Sequence, residues 1–194
     1  LIQIVFREKG RCRIIDIGGT ELYWKIIDSH FLQENAVSIT LLNLQKVNVN
    51  PPIFTSDIGD ACDLRHIATN SYDLAHSNSV IEHVGDCRRM EQFASEVARV
   101  ANRYYVQTPN FWFPLEPHFG VFFFHWLPEP VRVSLQLRYN LGEFQRSHSV
   151  GDAVRTVQSA RLVDMKMFRY LFPDAEIRKE KLAFFTKSLI AIRK

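Results

Sequence analysis

The stretch Arg13-Ile14-Ile15-Asp16-Ile17-Gly18-Gly19-Thr20-Glu21-Leu22 decides the fold. A short apolar, β-branched run ends in two glycines, as a buried parallel strand does where it turns into a helix. Glycine lacks Cβ, so the backbone of such a turn can lie close to a ligand. Residues 21–33 follow as a predicted helix, with Leu22, Lys25, Ile26 and Ser29 along one side and Trp24, Ile27 and Phe31 broadening the apolar face.

The same alternation continues outward. Val37-Ser38-Ile39-Thr40-Leu41-Leu42 reads as the second strand, with Asn43 at its end, and 47–52 is turn-rich. Residues 53–56 and 71–76 read as the third and fourth strands. Residues 86–101 carry the strongest helical signal. Asp86 suits the N-cap, and Met90, Phe93, Val97 and Val100 recur at three- and four-residue steps. Residues 103–108 form the fifth strand, closed by Pro109-Asn110. Strand–helix alternation of this kind predicts an α/β fold, a parallel sheet with helices on both faces. Residues 111–163 break the rhythm with an aromatic- and Pro-rich stretch and two predicted helices, at 129–140 and 149–160. They read as an insertion after strand five. A helix at 164–172, stopped by Pro173, and two strands at 175–178 and 184–192 complete one domain over 1–194, without repeat or linker.

Composition narrows the class. With 46% hydrophobic and 23% charged residues the 194-residue chain is ordinary globular material, which excludes disorder, collagen and coiled coil. Its 24 Lys+Arg against 21 Asp+Glu leave +3, too mild a balance to predict a nucleic-acid partner. Cys12, Cys62 and Cys87 show no C-x-x-C spacing, so neither a disulfide framework nor a zinc knuckle is expected; a reducing, cytoplasmic setting is. The most apolar window, 111–127, is interrupted by Pro114, Glu116, Pro117 and His118, so no spanning helix is predicted. A first residue Leu1 instead of Met leaves room for residues upstream.

Ligands of open α/β sheets bind beyond the carboxyl ends of the strands. The residues there form a polar rim: Asp16, Gly18, Gly19 and Thr20; Asn43; Asp57, Gly59, Asp60 and Ala61; Ser77, Asn78, Ser79, Glu82 and His83; Thr108, Asn110, Glu116 and His118. The G-x-x-x-x-G-K-[ST] and G-x-G-x-x-G patterns are both absent, which argues against nucleotide hydrolases and dinucleotide enzymes.

Three blocks in order, 14–20, 59–64 and 72–84, resemble the class I S-adenosylmethionine-dependent methyltransferases, in particular their small-molecule methyltransferase domains. The tail, with Phe172-Pro173-Asp174-Ala175 and Lys187-Ser188-Leu189-Ile190-Ala191, resembles that family's last two strands. The resemblance implies a Rossmann-like seven-stranded sheet with one reversed strand and S-adenosylmethionine as cofactor. It implies that Gly18 and Gly19 lie against the methionine part and that Asp16 shapes their loop. Asn43 stands where an acid normally grips the ribose. Asp60 and the Ala61 N–H would meet the adenine, and Ser77 and Asn78 would line the pocket floor. Two departures from the family pattern stand out. Thr20 and Leu22 occupy positions usually held by glycine, and Asn43 gives up the charge-assisted ribose contact. Asn43→Asp is accordingly expected to leave cofactor affinity equal or better, with Glu21 a substitute from the loop.

Methyl transfer to a hydroxyl benefits from a general base. His118 with Glu116 is the first candidate, since both follow strand five beside the expected methyl position, and His83 is the second. His30, His66, His76, His125 and His148 show no metal-ligand spacing, so no metal is predicted. Residues 111–163 are expected to cap the acceptor, with Arg132, Arg138, Arg146 and Arg155 available to an acidic one. The expected activity is O-methylation of a small natural product, glycan or lipid-like metabolite. The alternative is a non-catalytic relative that binds without turnover.

Overall fold

In the computed structural model, which describes residues 1–194, helix α1 (Ile2–Lys9) precedes the first strand, β1 (Cys12–Ile17). The short helices α2 (Glu21–Trp24) and α3 (Ser29–Glu34) lead into β2 (Val37–Asn43), followed by β3 (Phe54–Ile58) and β4 (Leu74–Asn78). A 3-10 turn, Ile81–His83, precedes α4 (Cys87–Val100) and β5 (Tyr104–Pro109). Next come a small ribbon of β6 (Leu115–Glu116) and β7 (Val121–Phe122), then α5 (Glu129–Gln136), α6 (Val150–Val157) and α7 (Met165–Leu171). The chain closes with β8 (Glu176–Leu182) and β9 (Phe185–Arg193).

The seven-stranded sheet has the order β3-β2-β1-β4-β5-β9-β8. All its strands run parallel except β9, which is antiparallel to both neighbours. The period-2 alternation of β1 explains the two-sided core. Ile15 and Ile17 face Met90, Phe93 and Val97 of α4 and Phe168 of α7, whereas Cys12 and Ile14 face Val5 of α1, Trp24 and Leu32. Burying each such side chain contributes about 1.5–3 kcal/mol, which is why strands buried on both faces are apolar almost throughout. Asp86 caps α4 as expected, accepting from Arg89 N–H at 2.9 Å.

The structure differs from the sequence expectations in several elements. The helix expected over 21–33 is two helices, because Asp28 caps the second, accepting from His30 N–H at 2.8 Å, while the Trp24 indole turns inward. The fourth strand lies later than 71–76: Tyr72 bridges to Ala101, and Asp73 accepts from Arg13 N–H at 2.8 Å, so the ladder begins at Leu74. Ser77 and Asn78 are therefore strand residues. The third strand also lies one to two residues later than 53–56. The helices expected over 129–140 and 149–160 are one turn shorter; β8 runs four residues beyond 175–178, and β9 lies one residue later than 184–192. α1 and the β6–β7 ribbon carry no sequence signal: two-residue strands show no alternation, and the apolar face of α1 is narrow, burying only Val5.

Candidate active site

Strand order reverses between β1 and β4, opening a crevice at their carboxyl ends, where ligands of open sheets bind. The β1 loop lies at its mouth. Gly18 has φ of +74°, the left-handed region that favours glycine, and a Cβ on Gly19 would fall 1.7 Å from Asp16 Oδ2. Asp16 is fully buried beneath this loop. Its Oδ2 accepts from the Trp24 indole N–H at 2.7 Å and its Oδ1 lies 2.6 Å from His76 Nδ1. His76 stacks on Tyr105, ring centroids 5.5 Å apart. The sequence reading placed Trp24 on a helix face and His76 among histidines without metal spacing, and joined neither to Asp16, although Asp16 and His76 are register partners across β1 and β4.

Asn43 Nδ2 donates to the Gly19 carbonyl at 3.0 Å, so this side chain braces the loop. Both oxygens of Glu21 accept from Asn50, at 3.1 Å from its backbone N–H and 2.8 Å from its side-chain amide. Glu21 is thus bound to the loop after β2. Ser77 is buried with its hydroxyl donating to the Ile17 carbonyl at 3.0 Å; it clamps β4 to β1 and does not face the crevice. Asn78, half-buried, accepts from Ser79 Oγ at 3.3 Å.

Beyond β3, the Asp60 carboxylate accepts two bonds from Arg89, at 2.8 and 2.7 Å, and one from Cys62 N–H at 2.9 Å. The Arg89 hydrogen bonds hold Asp60 below the usual carboxylate range. The neighbouring Ala61 N–H donates to no backbone carbonyl. Leu44, next after Asn43, and Ile58, the register partner of Asn43, are both exposed at this edge. A side-chain-free loop backbone, an open Ala61 N–H, a carboxylate and exposed apolar side chains at three adjacent strand ends fit a nucleoside carrying a charged tail.

On the other side of the crevice a second group gathers. His118 Nδ1 lies 2.7 Å from Glu116 Oε1, and the other Glu116 oxygen accepts from Phe119 N–H at 2.6 Å. The Glu116 hydrogen bond raises His118 above the usual imidazole range. His118 Nε2 is 3.1 Å from His83 Nε2, and His83 Nδ1 is 3.0 Å from the Ser159 carbonyl. Glu82, 1% exposed, accepts from Thr108 Oγ1 at 3.0 Å through Oε2, while its Oε1 has no partner. Burial pushes the Glu82 carboxyl up. All three residues expected from sequence as catalytic, His118, Glu116 and His83, are brought together. Glu82 joins them, although no local spacing among these residues marks a cluster.

Glu116 also lines a cavity of about 720 Å³, walled by Phe111, Phe119 and Phe124 and by Arg132 and Arg161. Two polar atoms of this wall lack partners: Arg132 Nε, a donor, and His125 Nδ1. His125 Nε2 lies 2.7 Å from the Phe111 carbonyl, which fixes Nδ1 as the acceptor nitrogen. Burial lowers His125 below the usual imidazole range, keeping the ring neutral.

This sheet order, one reversed strand and the glycine loop at the switch point define the class I methyltransferase fold. Residues 16–103 match the family model described as "Methyltransferase domain". Solved structures agree in fold. A Methanosarcina mazei SAM-dependent methyltransferase superposes with a TM-score of 0.55 at 14% identity, over 94% of this chain and 91% of its own. The 1,6-didemethyltoxoflavin-N1-methyltransferase of Burkholderia thailandensis, solved with S-adenosylhomocysteine, gives 0.53 at 12% identity, over 98% and 74%. An O-methyltransferase family protein of the same organism gives 0.54 at 10% identity, over 98% and 54%. No curated protein matches the sequence. Residues 16–103 thus resemble a methyltransferase domain, and the chain as a whole has the class I methyltransferase fold. No helix is long and apolar enough to cross a membrane.

Proposed function

We propose that the chain methylates an oxygen of a small-molecule acceptor that carries both a hydroxyl and an anionic group. One observation carries this reading: the Glu116–His118 pair lies at the edge of a cavity whose wall presents Arg132 Nε without a partner. S-Adenosylmethionine supplies a methyl group on a sulfonium, already a good leaving group. The rest falls to the chain. Gly18, Gly19 and Asn43 would hold the amino-acid and ribose parts, Asp60 and the Ala61 N–H the base. Asp16 supports the loop from below. Arg132 and Arg161 would orient an acidic acceptor, and residues 111–163 act as its cap, excluding water with Phe111, Phe119 and Phe124. An acceptor hydroxyl placed in line, about 3–3.5 Å from the methyl carbon, needs a group to take its proton. His118 Nε2 is that group, its ring oriented by Glu116 through Nδ1. Three free cysteines, two of them buried, support work in a reducing, cytoplasmic compartment. The mild net charge supports a small acceptor over nucleic acid.

The test pairs titration calorimetry with an acceptor screen that reads S-adenosylhomocysteine formation. The wild type is expected to bind S-adenosylhomocysteine with micromolar affinity, about −8 kcal/mol. Asp60→Ala should weaken that binding. His118→Ala should slow turnover far more than it weakens binding. No heat at millimolar ligand would overturn the reading in favour of a non-catalytic relative, and an unaltered rate in His118→Ala would remove it as the base.

A further inference from the structure

We propose that Glu82, His83 and His118 form a binding site for one divalent cation of the zinc class, which would hold the acceptor oxygen. The inference rests on the acceptor centre described above; a bound cation would occupy His118 Nε2 and replace it as the base, by acidifying the acceptor hydroxyl so that its proton passes to water.

The argument begins with the two imidazoles. Their Nδ1 atoms are both committed: His118 to the Glu116 carboxylate at 2.7 Å, His83 to the Ser159 carbonyl at 3.0 Å. A carbonyl or carboxylate oxygen accepts, so each Nδ1 carries the proton and each Nε2 is left with a lone pair. Those two lone pairs face one another at 3.1 Å. Two acceptors at that distance repel unless something positive lies between them. Nitrogen ligands of a tetrahedral Zn²⁺, each about 2.0–2.1 Å from the metal, stand about 3.3 Å apart. The observed spacing is close to that edge. Backbone carbonyls and carboxylates behind the Nδ1 atoms are also what orients metal-bound histidines.

The third ligand is indicated independently. Glu82 Oε1 is a buried carboxylate oxygen without a hydrogen-bond partner, an arrangement that calls for an ion or a proton. One ligating atom from each of Glu82, His83 and His118 lies within 4.8 Å of the others. Two imidazoles and one carboxylate match the donor set of open zinc sites, in which three protein ligands leave a fourth position for water or substrate. Glu116 is not a ligand, because both its oxygens are taken. A proton on one Nε2 is the competing way to satisfy the pair, and cation and proton would exclude each other.

The test uses the purified full chain, stripped with chelator, and Co²⁺ and Zn²⁺ alone as probes. Co²⁺ is expected to bind one per chain with the visible absorption of a tetrahedral ion, and Zn²⁺ to displace it. His83→Ala and His118→Ala should each weaken binding by about 100-fold, at or beyond what loss of a supporting partner costs. Glu82→Gln, which retains a bond to Thr108, should weaken it less but abolish the tetrahedral spectrum. His30→Ala, on the far side of β1, should change nothing. Absence of the spectrum in the wild type, or its survival in His83→Ala, would overturn the proposal. Should His83→Ala misfold, His83→Gln gives the same reading. Binding of S-adenosylhomocysteine is measured separately. If it binds and the cation does not, the methyltransferase reading stands and the metal site falls; if the cation binds alone, the reverse holds.

Discussion

Gly19→Ala separates the loop from the carboxylate that supports it. The new methyl group would stand 1.7 Å from Asp16 Oδ2 and 2.1 Å from its Cγ, so something must move. Moving Asp16 would break two bonds to a buried carboxylate, from Trp24 and His76, at about 1.5–3 kcal/mol each. Moving the loop outward would break two neutral bonds, Gly18 N–H to the Leu42 carbonyl and Asn43 Nδ2 to the Gly19 carbonyl, at about 0.5–1.5 kcal/mol each. About 1–3 kcal/mol is cheaper than about 3–6, so the loop yields. For a chain of this length that lowers Tm by about 2–12 °C. Cofactor affinity should fall at least tenfold, since the displaced backbone is the proposed cradle. Gly10→Ala is the matched control: its φ of +67° costs a similar amount, about 1–2 kcal/mol, with nothing near the added methyl. Calorimetric titration with S-adenosylhomocysteine and thermal melts of both variants decide the matter. Affinity unchanged in Gly19→Ala would refute the cradle. A stability loss well above 3 kcal/mol would show that Asp16 moved instead.

Two further predictions rest on single hydrogen-bonded side chains, Asn43 and Asp73. Asn43→Asp should weaken cofactor binding several-fold, contrary to the sequence expectation, because a carboxylate would face the Gly19 carbonyl where an amide now donates at 3.0 Å; titration calorimetry of the variant checks it. Asp73 is pushed up by burial, but Lys9 and the Arg13 N–H outweigh that and hold it below the usual carboxylate range. A carboxyl depressed in the folded state stabilises above its unfolded value of about 3.9 and loses that contribution as pH falls through the lower folded value. Melts from pH 6 to 2 should therefore lose a component below about pH 4 that is missing in Asp73→Asn; identical pH profiles would refute it.

Much of this protein was legible where local pattern and tertiary role coincide. The β1 stretch, the cap and apolar face of α4 and the order of the rim residues depend on periodicities of 2 and 3.6, and these survive folding. Asn43 was legible as a rim residue but not as a brace, because its partner carbonyl lies 24 positions away. Arg89 as the partner of Asp60 was hidden for the same reason. His118 and Glu116 were visible as residue types following a strand. Their meeting with Glu82 and His83 was not, since it depends on how a Pro- and aromatic-rich segment folds back over the 3-10 turn. No local periodicity encodes that return.

The return has an evolutionary consequence. Under the proposed reading two stretches of chain build the crevice: residues 12–103 would supply the nucleoside side, and residues after β5 most of the acceptor side. They meet at the 3-10 turn, where the Arg161 N–H donates to the Glu82 carbonyl at 2.7 Å and His83 touches both His118 and Ser159. Such a seam makes the acceptor segment exchangeable. A different stretch between β5 and α7 could be grafted onto the same sheet, provided it returned a carbonyl to His83 and an N–H to Glu82. Specificity in this architecture can then change by cassette, with the nucleoside edge left intact.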